Sequence, residues 1–144
     1  MPALSVLYLR TALLALVAGA LGGAIMLSAK AGMPARVPGW IHAWHLELML
    51  LGWFGNLTLG VAYWILPKHA SGRERGSPVP PWLAYGLLNA GVVFSALGVL
   101  TAGRLLELLA AISFAVHAVP RVKAFGVGRT AGRLDGWTAG RLDG

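Results

Sequence analysis

The stretch Gly39–Pro67, GWIHAWHLELMLLGWFGNLTLGVAYWILP, decides the fold. It is long enough to cross a hydrocarbon core of about 30 Å at about 1.5 Å per residue. Yet it carries two histidines, a glutamate and an asparagine. Polar and ionisable groups are costly at that depth, and their presence marks a site by default.

The rest of the chain agrees with a membrane setting. It has 144 residues, of which 57% are hydrophobic and 12% charged. A soluble domain carries about 25% charged residues. Mean hydropathy is +0.69. There is no cysteine, so disulfides, thiolate metal sites and covalent haem attachment are excluded. The net charge of +7 lies in short loops and the tail rather than on one soluble face. That distribution orients helices and does not predict nucleic-acid binding.

Outward from the opening stretch, three further apolar runs appear. The expected spans are 3–29, 39–67, 82–102 and 105–119, forming one domain over 1–120. Ala29-Lys30-Ala31 has the form of a signal-peptide cleavage site, but the apolar run before it is too long for an h-region and reads as a retained helix. Arg10 is expected to snorkel to the nearer interface. Gly19, Gly22 and Gly23, and then Gly91, Ser95 and Gly98, offer small surfaces for close helix contact. A turn is expected at Gly103. The basic tail over 121–144 repeats TAGRLDG at Thr130–Gly136 and Thr138–Gly144, a local duplication expected at the surface. Eight basic residues fall in the second loop and the tail, against three on the other side (Lys30, Arg36 and Arg104). The positive-inside rule then predicts both termini in the cytoplasm. Trp40 and Trp44 mark the outer interface, and Trp64 and Trp82 the inner one.

Along the second span His42 and His45 lie one turn apart. Met49, Gly52, Asn56, Gly60 and Tyr63 continue that face at steps of three or four. Small residues below a histidine suit a planar macrocycle, and a b-type haem needs only histidine ligands. His45 is predicted about 9 Å into the helix. Two histidines at this spacing also suit zinc or copper. Glu47 points about 200° away from His45. It is expected to pair with Arg104, for which Glu107 also competes, or to exchange protons or orient an imidazole. His117 is expected at the interface near the far end of the fourth helix, and His69 in solvent. No phosphate loop, GxSxG or HExxH pattern occurs, so hydride, acyl and phosphoryl chemistry find no support.

The residues HLELMLLGWFGNLTLGVAYWILPK, His45 to Lys68, resemble the second helix of small four-helix membrane proteins similar to subunit I of the haem–copper oxidases, in its cbb3-type and nitric-oxide-reductase-like branches. That subunit has twelve helices in three arcs of four. The resemblance implies an all-α unit like one arc, in a prokaryotic cytoplasmic membrane. It implies His45 as axial ligand to a haem b iron, with His42 next, and the stripe residues Met49, Gly52 and Asn56 are expected to line the cofactor. Three copies of the chain would restore the twelve-helix ring as a homotrimer. This sequence departs from the pattern at His45-Leu46-Glu47, where relatives have His-x-His. It also has no second arc to supply copper ligands. Oxygen or nitric oxide reduction by one chain is not expected. The functional expectation is electron transfer, or binding of nitric oxide or oxygen. The alternatives are a cofactor-free accessory subunit of a respiratory complex, and a copper or zinc membrane site.

Overall fold

The computed structural model describes residues 1–32, 37–66 and 77–122. Within them the chain is all-helical. Four helices are long and apolar enough to cross a membrane: α1 (Ala3–Lys30), α2 (Trp40–Ile65), α3 (Val79–Ala96) and α4 (Leu100–Ala118), the last extended by a 3₁₀ turn at Val119–Arg121. The two TAGRLDG copies and His69 lie outside the described residues.

The helix ends follow local chemistry. Leu66 leaves the helix at φ −55°, ψ 130° because it precedes Pro67, and proline disfavours helical backbone in the residue before it. α3 begins three residues before the expected Trp82, with Pro80 and Pro81 in its first turn, where a missing N–H costs nothing. It ends in a Schellman turn. Gly98 adopts φ +87°, its N–H reaches the Ser95 carbonyl at 3.0 Å, and the Val99 N–H reaches the Phe94 carbonyl at 2.9 Å. The turn therefore lies at Gly98 and not at Gly103, which sits inside α4. The two glycines exchange their expected roles.

Two close hairpins make the bundle. In the first, α1 and α2 meet through small residues: a Cβ on Gly52 would lie 3.0 Å from the Ala15 Cβ, and one on Gly19 would lie 2.8 Å from the Met49 Sδ. In the second, α3 and α4 approach at Gly91 and Gly103, where a Cβ on Gly103 would lie 2.8 Å from the Ser95 nitrogen and 2.9 Å from the Gly91 carbonyl. Gly103→Ala must push these backbones apart. It is expected to destabilise the protein by about 1–3 kcal/mol, as overpacking does, read as a lower midpoint of helical unfolding in mixed micelles.

The hairpins join at one end through Leu4, Tyr8, Tyr63, Ala84, Leu88, Ala110 and Phe114. Tyr8 donates to the Pro81 carbonyl at 3.3 Å, and the Thr11 and Tyr85 hydroxyls meet at 2.8 Å. Outside this core, Leu13, Leu14, Val17 and Leu21 on α1 and Leu105, Leu108, Leu109 and Ile112 on α4 are exposed. Such apolar outer faces suit lipid contact. The candidate site lies at the opposite end of the bundle, where α1 ends and α2 begins.

Candidate functional site

α2 is not one uniform helix. Leu48–Gly55 is π-helical, between α-helical turns at Trp40–Glu47 and Asn56–Ile65. A π turn closes its hydrogen bond five residues on, so each residue rotates less than the ~100° of an α-helix. Over this segment the lag amounts to about one residue of rotation. Of the stripe read from the sequence, His45, Met49, Gly52 and Gly60 face α1, whereas Asn56 reaches Asn89 on α3 and Tyr63 stacks near His117 on α4.

His45 is half-buried. Its Nδ1 lies 2.7 Å from the Gly19 carbonyl oxygen. A carbonyl only accepts, so Nδ1 carries the proton and donates. In the neutral ring that leaves the lone pair on Nε2. Gly23 makes room for the ring: a Cβ there would sit 2.9 Å from the His45 Cε1. Beside the ring is an open cleft of about 340 Å³ lined by Gly23, Met26, Leu27, Lys30, His42, His45 and Leu46. His42 is exposed, and it also lines a second cleft, of about 550 Å³, between α2 and the α3–α4 turn.

Three residues expected to line a cofactor make helix contacts in this chain. Met49 packs on Gly19 and Gly52 on Ala15, so α1 covers both. Asn56 is fully buried and spends its amide on helix contacts: Nδ2 donates to the Gly52 carbonyl at 2.8 Å and to Asn89 Oδ1 at 3.2 Å, and Oδ1 accepts from Asn89 Nδ2 at 3.1 Å.

The second cleft holds an ion cluster. Arg104 grips Glu47 with both terminal nitrogens, Nη2 to Oε2 at 2.7 Å and Nη1 to Oε1 at 3.2 Å, and its Nη1 also reaches Glu107 Oε2 at 2.7 Å. Ser95 donates to Glu107 Oε1 at 3.2 Å. Both carboxylates are buried, at 6% and 9% exposure, while the Arg104 side chain is 55% exposed. The expected Glu47–Arg104 pair is thus present, and Arg104 serves Glu107 as well. Glu47 does not orient His45, which the Gly19 carbonyl holds instead. The i, i+3 spacing of Arg104 and Glu107 carried this signal in the sequence. The Gly19 contact had none, because a backbone carbonyl has no residue identity.

His117 departs from expectation. It is buried, with its ring 5.5 Å from that of Tyr63 and 6.4 Å from that of Phe114. The helix does not stop before Pro120 but tightens through it into a 3₁₀ turn, which keeps His117 in the wall of the core. It stands at the end of the bundle away from His45.

The residues near His45 fit part of a haem site: a histidine whose Nδ1 is held by a carbonyl and whose Nε2 is left to ligate, an adjacent cleft, and a lysine at the cleft for a carboxylate. Among the described residues no three histidine, cysteine or carboxylate side chains converge as a metal site needs. A tetrahedral zinc set would therefore require ligands from outside them. No protein-family model matches this chain, and no curated protein or solved structure matches it, so the site is read from its own chemistry.

Proposed function

We propose that the chain is a multi-pass membrane protein that holds a haem b through His45. One observation carries this reading: the Gly19 carbonyl fixes the His45 tautomer and leaves Nε2 to ligate. Metal-ligating histidines characteristically donate their other nitrogen to a carbonyl or carboxylate in this way. Lys30, on the same cleft, is placed to pair with a propionate, and His42 is the second nitrogen donor within it. Bound there, the group would supply a one-electron iron couple and a place for a small gas such as nitric oxide or oxygen to bind. The resemblance of His45–Lys68 to the haem–copper oxidase second helix supports the same reading, as does one four-helix unit standing for one arc.

The cleft is small for this task. Its volume of about 340 Å³ is near the bottom of the range for small-molecule pockets, about 300–1,000 Å³. A tetrapyrrole would project past it, and its second wall would come from a neighbouring copy. This supports a homo-oligomer, and the arc geometry favours a trimer. The charge asymmetry of the sequence supports cytoplasmic termini in a prokaryotic inner membrane.

The other reading is a cofactor-free subunit of a respiratory complex. The Asn56–Asn89, Thr11–Tyr85 and Glu47–Arg104 contacts favour it, since each spends polar groups on holding helices together. Protein purified after haem-sufficient expression decides between them. We expect a Soret band, a positive pyridine haemochrome assay, and a native mass of three chains with haem. No Soret band removes the haem reading, and a dimeric mass removes the trimer.

A further inference from the structure

We propose that Asn56 is a positioning residue: its side-chain amide holds the π-helical segment Leu48–Gly55, and that segment sets the rotational phase of the outer half of α2. The reasoning begins with hydrogen-bond accounting. Where a π-helical stretch returns to α-helix, the bonding pattern shifts by one residue and a carbonyl is left without its amide partner. In hydrocarbon such a group has no water to accept from, and leaving it unmade costs several kcal/mol. Asn56 stands at that junction, the first residue of the inner α-helical turn. Its Nδ2 lies 2.8 Å from the Gly52 carbonyl and 3.4 Å from that of Leu51, both inside the π segment. Asn89 then fixes the amide from the neighbouring helix. It accepts from Nδ2 and donates to Oδ1, while its own Nδ2 also donates to the Tyr85 carbonyl at 2.9 Å. The side chain is thus anchored on α3 and supplies donors to α2.

The phase matters because the outer half of α2 serves two partners at once. His45 must meet Gly19 on α1, and Glu47 must meet Arg104 on α4. The inner half has its own fixed contacts, with Gly60 against Tyr8 and Tyr63 against His117. A continuous α-helix through Leu48–Gly55 would keep the inner contacts and turn the outer half by about one residue, ~100°. His45 would then leave the Gly19 carbonyl, and Glu47 would leave Arg104. The π segment reconciles the two halves, and Asn56 is the group that stabilises it.

The chain has no cysteine, so introduced pairs report geometry cleanly. A Cβ on Gly22 lies 3.6 Å from the His45 Cβ, inside the disulfide window of about 3.5–4.5 Å. The double variant Gly22→Cys/His45→Cys is expected to cross-link on mild oxidation in membranes, read as loss of maleimide labelling. Adding Asn56→Ala is expected to abolish the cross-link. Adding Asn89→Ala is expected to retain it, because Asn56 still reaches Gly52. An undiminished cross-link with Asn56→Ala overturns the proposal. Should Asn56→Ala lose its helical signal altogether, deletion of Leu50, an exposed residue of the π segment, gives the second test. Because the π segment accommodates one extra residue, the deletion leaves a continuous α-helix with both halves in phase. It is expected to keep helicity and the cross-link, and Asn56→Ala added to it is expected to keep the cross-link as well. A cross-link lost in either variant overturns the proposal. In the chain that keeps His45, Asn56→Ala is expected to lower haem occupancy with helicity intact. That last readout rests on the haem reading and the cross-link does not. A parent chain without haem sinks the former and leaves the latter to be judged alone.

Discussion

His45→Ala is expected to abolish the Soret band of the purified protein, and His117→Ala to leave it in place. The contrast follows from position and chemistry together. His45 offers a lone pair on Nε2 beside a cleft because its Nδ1 is committed to Gly19. His117 stands at the far end of the bundle, between Tyr63 and Phe114. A fold defect would fell both variants, so the pair separates ligand loss from unfolding, and the helical signal checks it. Gly23→Ala sharpens the test. It keeps the ligand but places a Cβ 2.9 Å from the ring Cε1, so the imidazole must turn away from its carbonyl. Disturbing the group that orients a metal-ligating histidine costs about 10–100-fold in affinity. We therefore expect Gly23→Ala to bind haem weakly and His45→Ala not at all. His42→Ala separates two arrangements. If His42 shares the iron, its loss changes the visible bands of the reduced form. If it only lines the cleft, the bands keep their positions. Full haem content in His45→Ala removes the assignment.

The four spans were legible because bilayer thickness imposes a length that hydropathy reports directly. Their ends were legible where proline punctuates, as at Leu66-Pro67. Gly98 and Gly103 were misread because a glycine serves equally as a left-handed turn residue and as a packing surface. Sequence spacing cannot separate those uses, since the outcome depends on which one faces α3. The Glu47–Arg104 pair was legible for a firmer reason: few opposite charges lie in the spans at matching depth. At Met49 and Gly52 the sequence did not show that α1 covers their face. At Asn56, projecting residues at ~100° per step assumes a uniform α-helix, and the π segment interrupts it. No residue in LMLLGWFG announces it. The only trace is Asn56 just beyond, a polar amide placed where hydrocarbon penalises one, and its reason appears only with Asn89 opposite.

Arg104→Leu is expected to be the most destabilising single substitution at the second cleft, by about 3 kcal/mol, the lower end of what removing one partner of a buried ion pair costs. The side chain removed is half exposed, but the groups it leaves behind are not. Glu47 and Glu107 are both buried, and Arg104 is the cation that touches each of them. Without it two carboxylates face each other in a medium that solvates neither. The reverse change is milder. Glu107→Gln leaves Glu47 to hold the guanidinium through both Nη atoms and keeps an amide for Ser95, so the loss is about 1 kcal/mol, near that of a typical hydrogen bond. Glu47→Gln breaks the bidentate grip and falls between the two. The diagnostic variant replaces all three, Glu47→Leu/Arg104→Leu/Glu107→Leu. Apolar replacement of a whole buried ion cluster is often neutral or stabilising, and the apolar neighbours Leu46, Leu50 and Leu51 already line this cleft. The triple variant should therefore unfold in mixed micelles near the parent midpoint, far above Arg104→Leu, a non-additivity that independent sites do not show. Salt discriminates further. Screening weakens exposed pairs more than buried ones, so with both carboxylates buried and Arg104 half exposed, raised ionic strength should lower the parent midpoint only slightly. A triple variant as unstable as Arg104→Leu would mean that the cluster holds α2 to α4 by geometry that leucine cannot replace.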